Sequence, residues 1–193
     1  MKNMFSGVFA VAAATASMAA VAHPNHESLS LSAGLLSGAV HPLVGLDHLL
    51  ALCAVGALSA PLQGLQRWLV PLVFAGLMAL GFVLAHGGWH LAMVSTMEAM
   101  IMMSLLMGAV LLMVNRLASR HFSGRTGILR GFSAWAMTGF ALFHGMAHGL
   151  EVPLEASAVG FGMSFVMASL AVMATVIVVV KYLMPLRNSE PAY

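Results

Sequence analysis

"HPLVGLDHLLALCAVGALSA", residues 41–60, puts two histidines, a proline and an aspartate into a stretch otherwise apolar enough to enter a lipid bilayer. Whether this stretch lies in a membrane decides the fold. The composition answers first. Hydrophobic residues make up 61% of the 193-residue chain and charged residues 7%, against about 45–50% and 25% in ordinary globular chains. That excludes a soluble domain. The few cations form no basic face for nucleic acid. A single cysteine, Cys53, excludes an intramolecular disulfide framework and a cysteine-based zinc site.

Working outward, the first 22 residues read as a secretory signal. Lys2 gives a positive start, Phe5 to Ala16 a short apolar core, and Ala20-Val21-Ala22 a small-x-small cleavage site. An uncleaved first helix is the other reading of the same segment. Cleavage leaves residues 23–193 as one membrane domain with His23 at its amino terminus. His23 then offers an α-amine and an imidazole to a divalent ion, or with His26 simply forms a polar leader.

A membrane span needs about 20 apolar residues. Five mature segments meet that length, at 31–59, 67–86, 91–114, 128–150 and 157–182. The expected fold is therefore an all-α, polytopic bundle of five transmembrane helices. Pro42 and Gly45 interrupt the first segment, which is expected to tilt, kink or split into half-helices. Arg67, then Arg116, Arg120, Arg125 and Arg130, then Lys181 and Arg187 fall on one side of successive spans. By the positive-inside rule that side is cytoplasmic. The mature amino terminus is then periplasmic, the carboxyl terminus cytoplasmic and the membrane a bacterial inner membrane.

The opening stretch now becomes a chemical question. An aspartate within a span costs about 2.5–3.5 kcal/mol on insertion scales, so it calls for a partner or a role. His41 and His48 are seven apart, two helical turns, so they share a face, with Asp47 about 100° around from His48. The fourth segment holds "FHGMAHGLE", residues 143–151, which sets His144, His148 and Glu151 on one stripe. Gly145 and Gly149 would let another helix approach closely. The third segment adds Glu98, two turns from its outer end. By depth, His41, Glu98, His144 and His148 fall in the outer half, with Asp47 and His48 nearer the middle. Neutral imidazole and carboxylate together suit Ni²⁺, Co²⁺ and Zn²⁺.

Duller readings apply to other residues. His86 and His90 belong to a polar outer loop, and His121 sits among cytoplasmic arginines. The methionines of "MEAMIMMSLLM", residues 97–107, read as adaptable packing before they read as Cu(I) ligands. No glycine-rich loop ending in Lys-Ser/Thr is present, so the chain is not expected to hydrolyse ATP itself.

"HPLVGLDHLLALCAVG" and "FHGMAHGLE" resemble the two signature stretches of the HupE/UreJ proteins. The signal-like start and Glu98 fit the same pattern. The resemblance implies a permease that takes up nickel, in some members cobalt, for nickel-iron hydrogenases and urease. By it, His41, Asp47, His48, His144, His148 and Glu151 match motif positions, the first three being those that matter most for transport. Nickel/cobalt transporters of another group carry a similar element with four residues between His and Asp-His. Five intervene here, Pro42 to Leu46, so that geometry does not carry over.

The reading is thus a secondary permease importing Ni²⁺ or Co²⁺, with no prosthetic group and an indirect link to hydrogenase or urease maturation. The ion would be captured by outer imidazoles and pass to Asp47 and His48. Two rivals come from other classes. One is an intramembrane zinc hydrolase using His144, His148 and a further His, with Asp47 or Glu98 as base. The other is a haem electron carrier with histidine axial ligands.

Overall fold

Ser30 and Ser157 open two helices side by side. Each hydroxyl accepts the amide three residues on, from Ala33 at 3.2 Å and Gly160 at 3.3 Å. Each so satisfies a helix-start amide that has no partner within the helix. Their backbones also pair. Ser30 N–H donates to the Glu155 carbonyl at 2.9 Å, and Ser157 N–H donates to the Ser30 carbonyl at 3.1 Å. From that joint, α1 (Leu31–Val44) and α7 (Ala158–Val178) run along each other. A Cβ on Gly34 would collide with the Ser157 carbonyl, and one on Gly38 with the Phe161 carbonyl. The backbones themselves are in contact there, which only glycine permits.

The computed structural model describes residues 30–89, 94–121 and 126–183. The remaining helices are α2 (Leu46–Ser59), α3 (Gln66–His86), α4 (Val94–His121), α5 (Thr126–Thr138) and α6 (Ala141–Leu150), and a π-turn (Val179–Leu183) prolongs α7. Among the described residues nothing forms a strand beyond the single Ser30–Ala156 bridge.

A second glycine seam fixes α6 against α3. A Cβ on Gly145 would strike the Met78 carbonyl and one on Gly81 the Leu142 carbonyl, while Gly149 lies so that its Cβ would be 2.7 Å from the Phe82 carbonyl. The close approach expected for Gly145 and Gly149 is thus made, and α3 is the helix that makes it. The interior is apolar, with Val55, Val70, Phe74, Met78, Met137, Phe161, Phe165 and Met173 essentially inaccessible. The exterior is apolar too. Leu72, Leu80 and Val83 on α3, Leu106 and Met113 on α4, and Met163 and Met167 on α7 all face outward. A chain that is hydrophobic inside and out is built for lipid.

The span count differs from the five expected. Gln66–His86, Thr96–His121 and Ala158–Tyr182 are unbroken and long enough to cross a bilayer, and Leu31–Val44 with Leu46–Ser59 makes a fourth if the bent pair counts as one. That pair turns by 76°. The stretch at 128–150 is two helices of 13 and 10 residues, each too short to span alone. They part at Gly139 and Phe140, whose amides reach back only three residues, to Ala136 at 3.3 Å and Met137 at 3.1 Å. The Thr138 hydroxyl takes the Trp135 carbonyl at 2.7 Å, a bond that competes with helix continuation. The expected signal peptide, its cleavage point, His23 and His90 lie outside the described residues.

Candidate metal centre

The bend between α1 and α2 creates the site. Gly45 is extended (φ −77°, ψ 106°), and its amide makes only a long bond of 3.4 Å to the His41 carbonyl. His41 ends up in the last turn of α1, and Asp47 and His48 in the first turn of α2. A straight helix would set His41 and His48 on one face by spacing. The bend instead folds them together, with ring centroids 6.3 Å apart. A Cβ on Gly45 would stand 3.1 Å from His48 Nδ1 and 3.3 Å from Asp47 Oδ1. Glycine is therefore used here for space, since its φ is one any residue adopts.

Over that gap His48 Nδ1 and Asp47 Oδ1 are 3.0 Å apart. An ionised carboxylate only accepts, so Nδ1 carries the proton and donates. The neutral ring then has its lone pair on Nε2. That atom is buried and has no hydrogen-bond partner among the described residues. Buried acceptors are rarely left so. A carboxylate that holds a histidine tautomer while the other nitrogen stays bare is the arrangement metal sites use.

On α6, His144 and His148 are one turn apart, and Glu151 follows the helix end. Glu151 Oε2 accepts from His41 Nε2 at 2.9 Å and from His148 Nδ1 at 3.2 Å. These contacts, first from His148 and then from His41, hold the Glu151 carboxyl well below the usual carboxylate range. His41, His148 and Glu151 thus converge, with one donor atom from each lying within 4.8 Å of the others. Two imidazoles and a carboxylate can hold a borderline divalent cation, which would replace the shared protons.

The rings form a continuous run. His41 to His148 is 4.7 Å between centroids, His148 to His48 is 4.1 Å, and His48 to His144 is 5.4 Å. Phe161, Phe165 and Phe74 wall the run beside His41, His148 and His144 in turn, at 5.4, 4.1 and 6.1 Å. A pocket of about 530 Å³ opens beside it, lined by Asp47, His48, Met97, Glu98 and Glu151 among others. Its lining contains three carboxylates and no Lys or Arg, so its field favours a cation.

Burial is graded along the run. His144 is 3% exposed, whereas the Asp47 and Glu151 side chains are 43% and 46% exposed. The aspartate therefore stands at the mouth and His144 at the inner end. Glu98 is exposed on α4 and lines the pocket, outside the three-donor group. His86 stacks on Phe82 at 5.9 Å, and His121 is exposed at the far end of α4. Of the methionine run, Met97 is buried and lines the pocket, while Met103 and Met107 face outward.

The profile of the HupE / UreJ protein family matches residues 11–190, a range that takes in all of these side chains. The chain belongs to the HupE/UreJ family. Protein HupE of Rhizobium leguminosarum bv. viciae is 36% identical over 158 residues, which is 80% of this chain and 76% of that one. No solved structure matches it. With its several apolar helices, this HupE/UreJ chain is a multi-pass membrane protein. The donor grouping also differs from the set on which the hydrolase reading rested. That reading joins His144 and His148 around one ion, but the convergent donors are His41, His148 and Glu151.

One contributor to this HupE/UreJ site escaped the sequence reading. Ser104 on α4 is fully buried, and its hydroxyl lies 2.6 Å from the Ile101 carbonyl and 2.8 Å from His144 Nε2. The single hydroxyl proton goes to the carbonyl, which can only accept, so the oxygen accepts from His144 Nε2–H. Nδ1 is then the nitrogen of His144 left to bind a cation. A lone serine in a methionine-rich run gives little sign of this from sequence.

Proposed function

We propose that this HupE/UreJ chain is a secondary permease that carries Ni²⁺, or Co²⁺, across the bacterial inner membrane toward the cytoplasm, for nickel enzymes such as hydrogenase or urease. The observation that carries the reading is the run of four imidazoles from a carboxylate-lined pocket to buried His144. Asp47, Glu98 and Glu151 concentrate cations at the mouth. His41, His148 and Glu151 take the ion and strip part of its water. His48, its tautomer held by Asp47, offers Nε2 as the next ligand, and His144 follows. Each position supplies few ligands, so none holds the ion too tightly to release it, as conduction requires.

Direction follows from charge. Arg67, Arg116, Arg130 and Lys181 lie near the ends of helices opposite to Glu151 and Glu155, and the arginine end is cytoplasmic by the positive-inside rule. The acidic pocket then faces the periplasm. The deciding experiment is uptake of radioactive nickel or cobalt by cells lacking their own importers. Expression should raise accumulation of at least one of the two above the empty-vector control. Accumulation equal to the control for both, with the protein present in the membrane, would exclude the permease.

A further inference from the structure

A second cavity, of about 510 Å³, lies at the other end of the bundle, between the end of α2, the last turns of α4, the start of α5 and the π-turn. Arg116, Arg130, Asn115 and Ser119 line it together with apolar Leu112 and Val180. Among the described residues, the two guanidiniums face no carboxylate. Every ion pair among the described residues belongs to the histidine cluster, Glu98 lines the other pocket, and Glu155 sits beside Ser30. Of the other described cations near this end, Arg120 is exposed one turn beyond Arg116 and outside the cavity lining, while Arg67 and Lys181 are engaged. The Arg67 guanidinium donates to the Ala60 and Leu62 carbonyls, and Lys181 Nζ donates to the Tyr182 hydroxyl at 2.9 Å.

Arg116 is exposed and Arg130 half-buried, and with no carboxylate partner among the described residues both can present their charge to an anion in the cavity. The planar guanidinium fork matches phosphate oxygens in pairs, and two such forks on one cavity suit a single phosphate group. The rest of the lining decides what carries the phosphate. Leu112 and Val180 would stay uncovered around a free ion. From the cavity, outward-facing Met113 and Val110 continue along α4 toward the bilayer centre, a path for an acyl chain. We propose that this cavity binds the headgroup phosphate of an anionic phospholipid, with Arg116 and Arg130 as its ligands and an acyl chain along α4. Basic pockets between transmembrane helices on the cytoplasmic side are suited to such lipids.

The test uses the purified full-length protein in mild detergent, titrated with phosphatidylglycerol or phosphatidylcholine and read by native mass spectrometry. Each arginine near a membrane surface contributes roughly fivefold to anionic-lipid binding, so the wild type should prefer phosphatidylglycerol by about thirtyfold. The preference should vanish in Arg116→Gln/Arg130→Gln and largely return in Arg116→Lys/Arg130→Lys. Equal binding of the two lipids by the wild type overturns the proposal without reference to any variant. So does an unchanged preference in the glutamine variant. A third arm adds inorganic phosphate at millimolar concentration. If phosphate displaces phosphatidylglycerol and binds equally well alone, the site serves a free anion and the lipid assignment fails.

Discussion

Asp47 accepts a hydrogen bond from His48 Nδ1 at 3.0 Å in the first turn of α2, beside the bend at Gly45, and this leaves His48 Nε2 buried and without a partner among the described residues, in the middle of the imidazole run. The pair explains why an otherwise apolar segment carries an aspartate. The carboxylate both orients the ring and contributes charge to the pocket mouth. Those two roles can be separated.

Asp47→Asn keeps an oxygen that can accept from Nδ1–H but removes the charge. If the charge matters, Ni²⁺ uptake should fall by about tenfold or more, the scale of losses when a partner of a metal-binding histidine is altered. The amount of protein in the membrane should not change. Initial-rate uptake with membrane quantification checks this, and wild-type rates would reduce Asp47 to a structural hydrogen-bond partner.

Gly45→Ala probes the bend. The added Cβ would stand 3.1 and 3.3 Å from the two bonded atoms, and at φ −77° the backbone itself accepts alanine. The Asp47–His48 pair must therefore shift by a few tenths of an ångström. Uptake should drop several-fold with little change in thermal stability. A variant that transports as well as the wild type would show that the pair tolerates displacement.

Ser104→Ala removes the acceptor that fixes the His144 tautomer. The half-saturation concentration for Ni²⁺ should rise while binding to the outer His41, His148 and Glu151 group, measured by calorimetry on purified protein, stays unchanged. Loss of outer binding as well would mean that the substitution disturbs the bundle as a whole.

Acidification gives a signed expectation. A ligating imidazole must be neutral, so protons compete with metal for the solvent-facing ligands of the run. Glu151, held well below the usual carboxylate range, stays ionised as the outside is acidified and cannot account for a loss. Initial Ni²⁺ uptake at subsaturating metal should therefore fall between about pH 7.5 and about pH 5.5, and high metal should restore it. Uptake that rises in acid would point to proton-coupled import.

Much of this was legible in the sequence. The apolar runs announce membrane helices, and the ionisable residues within them mark the site because lipid makes them costly anywhere else. The two clusters around residues 41–48 and 144–151 do meet in space. How they meet was not legible, because seven-residue spacing implies a shared face only on a straight helix, and Gly45 bends this one by 76°. The break at Gly139 and Phe140 was hidden for a related reason. Hydrophobicity continues through it, so composition carries no trace of where the hydrogen bonds stop. Ser104 needed the third dimension, since its partner His144 lies 40 residues away.

The claim that the cation passes along the imidazole run is tested most directly in proteoliposomes loaded with a nickel-sensitive dye, comparing the wild type with His48→Gln. His48 is the link between the outer group and His144. The account predicts that His48→Gln still binds Ni²⁺ at His41, His148 and Glu151 by equilibrium dialysis, yet delivers the ion to the vesicle interior about tenfold more slowly or worse. Wild-type delivery by His48→Gln, or wild-type protein that fills the vesicles no faster than empty lipid, would contradict it.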